Sequence, residues 1–174
     1  MAHDPREPRH RWLKVLVFSL SLFGLVGCDH ATKLAAETKL PLAGISLING
    51  VLELRYAQNP DVAFSALARL SLHPSPRVLA TLGLAALSLL TWLYVRNRAR
   101  MNAWGHLGFV MALAGALGNV GDRFVRGYVV DFIHVSYWPV FNVADILVCL
   151  GMALTLVGAR KALKGSASTE RSSA

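Results

Sequence analysis

The sequence predicts a mainly α-helical membrane protein with four transmembrane helices, a small extracytoplasmic β-sheet region and a short amphipathic surface helix. Three observations carry this expectation. The 174 residues are 54% hydrophobic and only 16% charged, with a mean hydropathy of +0.44. The apolar residues gather in four runs long enough to cross a bilayer. The formal net charge of +8 is distributed as short basic clusters between those runs and at both ends. A basic balance alone would suggest nucleic acid as a partner, but clusters that punctuate apolar runs point to a membrane and to lipid contacts instead. The same composition excludes a disordered tail protein and an ordinary soluble enzyme.

The elements follow in order. Residues 1–11 are polar with two prolines and read as a cytoplasmic tail. A four-span domain then covers 12–160. Span one is 12–28, interrupted only by Lys14, and spans two and three are 78–95 and 101–118. Span four is 140–159, with Asp145 as its one charge. At ~1.5 Å per residue each run covers roughly one hydrocarbon core, and backbone groups in lipid must be satisfied within a helix. Span three repeats small residues at Gly105, Gly108, Ala112, Gly115 and Gly118, a stripe suited to close helix packing. Residues 161–174 are expected to be a flexible cytoplasmic tail, with Gly165–Ala174 rich in Ser and Ala.

Orientation follows from charge. Arg6, Arg9, Arg11 and Lys14 precede or open span one; Arg96, Arg98 and Arg100 fill the link between spans two and three; Arg160, Lys161, Lys164 and Arg171 follow span four. These ends are expected inside, with both termini cytoplasmic. The loops 29–77 and 119–139 then face outward. The first holds the β region, about 44–76. Residues 45–48 and 51–56 flank Asn49-Gly50, a pair suited to a type I′ turn. Residues 63–72 place Phe64, Leu67 and Leu70 on one side of a surface-lying helix. In the second loop, residues 128–135 read as a strand on which Asp131 shares a face with Val129 and Ile133.

A carboxylate on an apolar face needs a partner or a task. So does Asp145, an ionisable residue inside a span. Asn142 and Asp145 also have the spacing of an N-cap and an acidic third residue, so a helix start can hold the Asp145 carboxylate. Asp29 follows span one and Asp122 follows span three, with Arg123 beside it as a local counter-charge; Asp122 therefore reads as structural. Asn59 and Asn119 fall at the same rim. Two close carboxylates at a membrane boundary suit aspartic-protease chemistry, in which their pKa values separate, one activating water and the other holding the carbonyl. Asp131 and Asp145 are the best pair. The histidines, including His73, His106 and His134, do not cluster with other ligands, so no metal or cofactor is expected. Cys149 reads as a buried apolar residue.

At these residues the sequence resembles lipoprotein signal peptidase (signal peptidase II). The motifs are Asp29-His-Ala-Thr-Lys33, Asn59-Pro-Asp-Val-Ala-Phe-Ser65, Gly118-Asn-Val-Gly-Asp-Arg123, Val129-Val-Asp-Phe132 and Phe141-Asn-Val-Ala-Asp145. The resemblance implies four spans, both termini inside, an extracytoplasmic sheet and a metal-free aspartic protease of the bacterial inner membrane. It implies diacylglyceryl prolipoproteins as substrates, cut before the modified cysteine, by an enzyme expected to act as a monomer. It puts the catalytic pair on Asp131 and Asp145, with Asp29, Asn59, Asn119, Asp122, Arg123 and Asn142 in supporting and substrate-binding roles. Two departures stand out: His30 where the family usually has Gln, and Asp61-Val62 where it usually has Gly-Ala.

Two other readings compete. Basic residues, an apolar run and Leu25-Val-Gly-Cys28 resemble a lipobox, which would make the chain a lipidated, membrane-anchored binding protein. Intramembrane acids would also suit a small proton-relay transporter, although four spans are few for one.

Overall fold

The computed structural model describes residues 7–41, 43–60 and 74–172. In chain order these form α1 (Glu7–Lys39), β1 (Ile45–Ile48), β2 (Leu52–Asn59), α2 (Pro76–Asn97), a 3₁₀ turn (Arg98–Arg100), α3 (Ala103–Val125), β3 (Val129–Val135) and α4 (Val143–Ser172). Three helical stretches, Trp12–Lys39, Pro76–Arg100 and Ala103–Val125, are long and apolar enough to cross a membrane, and Val143–Ala159 is a shorter apolar stretch. Large apolar side chains such as Trp12, Leu20, Phe23, Leu82, Leu89 and Leu156 point away from the bundle. In lipid such an outward face carries no hydrophobic penalty.

Local signals set the helix starts. Ser75 caps α2 by accepting from the Val78 N–H at 3.4 Å, and Pro76 opens the first turn where its missing N–H costs nothing. Asn102 caps α3 through the Gly105 N–H at 3.1 Å. The short link between them makes α2 and α3 adjacent. On the other side α4 lies against α3 at backbone contact. A Cβ added to Gly108 would come within 2.5 Å of Thr155 N and 2.6 Å of Gly151 O. The stripe of small residues is thus the packing surface that its spacing predicted.

Three boundaries differ from expectation, and each moves polar residues from loop to helix. α1 continues past Cys28 to Lys39, because Ala31, Lys33, Leu34, Ala35, Ala36 and Glu37 all favour helix and the first breaker is Pro41. α3 continues past Gly118 to Val125, stopping short of Gly127 at φ +80°. Asp29, Asn119, Asp122 and Arg123 therefore stand on helices, not at loop ends. α4 starts at Val143 and runs through Ser172, where composition predicts a flexible end.

The sheet is three-stranded, antiparallel and ordered β1-β2-β3. The hairpin lies where Asn49-Gly50 predicts it, but the turn is not type I′. Only Gly50 has positive φ, at +70°, and Val51 joins the loop by donating to Ile48 O at 2.9 Å. The expected surface helix at 63–72 and the Asp61-Val62 departure lie outside the described residues.

Candidate active site

The site is assembled where the second half of α1, the last turns of α3, the start of β3 and the first turn of α4 meet. Asp131 enters from β3 opposite Ala57 of β2. After β3 the chain doubles back through Tyr137, at φ +65°, and Phe141 pairs with Ile133 through N–H···O bonds of 2.8 and 2.9 Å. That return sets Asn142 beside Asp131. Asn142 then caps α4: its Oδ1 accepts from the Asp145 N–H at 3.0 Å, and Asp145 Oδ2 accepts from the Asn142 N–H at 3.1 Å. The spacing predicted the N-cap with an acidic third residue; the structure adds the reciprocal bond that makes it a capping box. It fixes the Asp145 carboxylate at the positive end of a helix.

Asparagine amides connect the two carboxylates. Asn142 Nδ2 donates to Asp131 Oδ1 at 2.7 Å and to Asn119 Oδ1 at 3.1 Å. Asn119 Nδ2 donates to Asp145 Oδ1 at 2.8 Å. Asn59 Nδ2 donates to Asp131 Oδ2 at 2.8 Å. Asp131 and Asp145 line one cavity of about 140 Å³ with Asn59, Asn119, Arg123, Val129, Val140, Val148 and Cys149. At ~30 Å³ per water in the liquid, this leaves room for a water and a peptide group. Burial pushes the Asp131 carboxyl up to about 6; the Asn59 hydrogen bond pulls it down, and the nearby Asp145 charge raises it. Asp131 thus sits where both protonation states are accessible near neutrality.

Below this pair lies a buried ionic layer. Lys33, fully buried, contacts Asp29 at 2.8 Å and Asp122 at 2.9 Å, and donates to Asn119 Oδ1 at 3.0 Å. Asp29 Oδ1 accepts from the Ala144 N–H at 3.0 Å, tying α1 to the start of α4. Arg126 approaches Asp122 at 3.7 Å and pairs with Glu37 at 2.9 Å.

All eight residues expected at the site converge here, but two local expectations need correction and one further residue joins them. The counter-charges of Asp122 are Lys33 and Arg126; neighbouring helical residues diverge by about 100°, so Arg123 turns to the cavity and donates to Asn119 O at 3.2 Å. Cys149 is exposed and lines the cavity, because it lies on the side of α4 turned from α3. Lys33 had no role assigned. Its signal was present, since four residues after Asp29 put it on the same helical face, but only if the helix extends beyond Cys28. His30 is exposed. Among the described residues, no group of three or more His, Cys, Asp or Glu is arranged to hold a metal ion.

Comparison with known proteins places this arrangement among relatives. Residues 21–160 match the family described as signal peptidase (SPase) II. A lipoprotein signal peptidase of Allorhizobium ampelinum is 37% identical over 151 residues, covering 84% of this chain and 88% of the relative. One from Rhodococcus jostii is 35% identical, covering 88% and 79%, and one from Geobacter sulfurreducens is 32% identical, covering 81% and 89%. A solved bacterial membrane enzyme superposes with a TM-score of 0.71 at 24% identity, covering 83% of this chain and 88% of that one, so the fold is shared as well. With the family match spanning most of the residues that build the bundle and both carboxylates, this chain belongs to the signal peptidase II family.

Proposed function

We propose that this chain is an aspartic endopeptidase of the bacterial inner membrane that removes signal peptides from prolipoproteins, with Asp131 and Asp145 as its catalytic pair. One observation carries the reading: two carboxylates from separate elements line one cavity and share Asn142 as a hydrogen-bonding partner. The names of its relatives support lipoproteins as the substrate class. The bond cut is the one before the diacylglyceryl-cysteine.

The chemistry needs one ionised and one protonated carboxyl. The ionised group takes a proton from water as its oxygen attacks the scissile carbonyl carbon. The protonated group hydrogen-bonds the carbonyl oxygen and stabilises the charge that develops there. When the tetrahedral intermediate collapses, the C–N bond breaks and the departing amine takes up a proton. The two carboxyls titrate as a unit. Asn59, Asn119 and Asn142 hold them in place, and Arg123 borders the space for the substrate backbone.

The reading includes both termini in the cytoplasm and the active site at the extracytoplasmic face. Charge supports it: Arg96, Arg98 and Arg100 precede α3, and Asn119 lies about 24 Å along that helix at ~1.5 Å per residue. The working unit is one chain, with residues 12–160 as the catalytic domain and the segments on either side as cytoplasmic tails. One chain supplies both carboxylates.

The test is cleavage of a synthetic diacylglyceryl prolipoprotein by the purified chain. Asp131→Asn and Asp145→Asn are each expected to lose activity by at least ~10²-fold. Full cleavage by either variant rules out the pair. No turnover by the native chain, with or without the diacylglyceryl group, rules out the peptidase. An intact mass that includes residues 1–27 and an unmodified Cys28 rules out the lipidated-protein reading.

A further inference from the structure

The buried ammonium of Lys33 has three hydrogens and three acceptors: Asp29 at 2.8 Å, Asp122 at 2.9 Å and Asn119 Oδ1 at 3.0 Å. The first two contacts are charge pairing. The third is directed at an uncharged amide whose other end meets Asp145. An asparagine side chain is nearly symmetric in shape, so its O and N exchange places by a half-turn unless the neighbours distinguish them. Here they do. Lys33 Nζ and Asn142 Nδ2 both donate to Asn119 Oδ1, at 3.0 and 3.1 Å, while Asp145 Oδ1 accepts from Asn119 Nδ2 at 2.8 Å. A half-turn would set NH₂ against the ammonium and oxygen against the carboxylate.

We propose that Lys33 is a positioning residue for the reaction: held between Asp29 and Asp122, it locks the Asn119 amide so that the NH₂ faces Asp145. This rests on the reading of Asp131 and Asp145 as the catalytic pair. Lys33 touches neither carboxylate of that pair, so its chain of contacts to them runs through Asn119, beside the direct pull that its charge exerts on the Asp131 carboxyl. The ionic layer gives the lock its rigidity. Asp29 is anchored to α4 through the Ala144 N–H, and Asp122 to β3 through the Val130 N–H at 3.4 Å. Arg126 contacts the far side of Asp122 and is itself paired with Glu37. The ammonium is therefore fixed by groups from α1 and α3 that are tied to the two elements carrying the reacting carboxylates.

The test removes the lock in a double variant that keeps the native net charge, with Asp29→Asn alone, one positive charge higher, as the control for loss of Asp29. The charge-retaining Lys33→Arg separates the lock from the charge itself. Asp29→Asn combined with Lys33→Met replaces a buried ion pair with a neutral pair and leaves Asp122 facing Arg126. Against Asp29→Asn alone, the pair is expected to lower kcat ~10–100-fold, the scale of a displaced supporting group, with KM within about threefold. Adding Asn119→Ala should cost little more, because the second change removes the group through which the first acts. Lys33→Gln in the Asp29→Asn background keeps a donor toward Asn119 and should recover part of kcat. Unchanged kcat in the Met pair, or losses that multiply when Asn119→Ala is added, overturns the proposal. Lys33→Arg in the otherwise native chain covers failure of the neutral pairs to fold. Its planar guanidinium keeps the charge but cannot place one N–H on each of three converging acceptors. It should lower kcat in the native background and not in Asn119→Ala, and an equal loss in both overturns the proposal. Native chain without turnover would instead sink the peptidase reading itself.

Discussion

Replacing Asp131 by Asn is expected to stabilise the protein while abolishing its chemistry. Asp131 is only 2% exposed, and its carboxyl titrates at about 6 against an ordinary 3.8. Ionising it inside the fold therefore costs about 3 kcal/mol more than ionising it in the unfolded chain. The sign follows from where the proton sits. Below pH 3.8 the group is protonated in both states and there is no penalty. Between 3.8 and 6 the unfolded chain releases its proton first, and stability falls as pH rises. Above 6 the penalty is complete.

Asn carries no charge and escapes this penalty. It does lose something, because Asn59 and Asn142 donate to both Asp131 oxygens at 2.8 and 2.7 Å and an amide has only one oxygen. A lost hydrogen bond of this kind costs about 1 kcal/mol. The net gain at pH 7.5 is about 2 kcal/mol, or ~4–8 °C in Tm for a chain of this size. At pH 4 the penalty has shrunk to about 0.5 kcal/mol, so the lost hydrogen bond outweighs it and the order should reverse by about 0.5 kcal/mol. Thermal unfolding followed by tryptophan fluorescence, in one detergent at both pH values, measures this directly. A variant that melts below the native chain at pH 7.5, or a Tm offset that does not change with pH, refutes the reasoning.

Other perturbations test the layer beneath the pair. Gly118→Ala would put a Cβ onto Asp29 Oδ2 and 3.2 Å from its Cγ, so the carboxylate must shift off Lys33 or off the Ala144 N–H. A cost of ~1–3 kcal/mol in unfolding measurements is expected, with reduced cleavage as the start of α4 moves. Asp122→Asn leaves Lys33 with Asp29 as its one paired carboxylate, beside the Asn119 hydrogen bond, and leaves Arg126 with Glu37. Loss of one partner from a buried pair typically costs ~3–5 kcal/mol, so most of the lost activity should track lost folded protein. Normal stability with no activity would move Asp122 into the chemistry.

Several features were legible in the sequence because they depend on local rules. Asn142 and Asp145 are three residues apart at a helix start, and that spacing predicts an N-cap with an acidic third residue, which the structure shows. The alternation around Asp131 marked it as a carboxylate on a packed strand, and the small residues of span three marked the face that meets α4. The pairing of Asp122 was misread because chain adjacency favoured Arg123, whereas the helix turns consecutive side chains to different sides. The contact between Lys33 and Asp29 becomes legible only when α1 is known to continue past Cys28, which puts the two residues one turn apart.

What the sequence determined by itself was the helical bundle, the sheet strands and which carboxylates stand on a packed strand and at a helix start. Patterns of polarity and capping are properties of neighbouring residues, so they survive without knowledge of the fold. Which oxygen meets which amide was decided only by tertiary structure. The Asn119 amide has its orientation because a lysine 86 residues away donates to one end and an aspartate 26 residues away accepts from the other. No local rule encodes that. It arises from packing α1, α3 and α4 around a buried ionic layer, where a polar group left without a partner is costly.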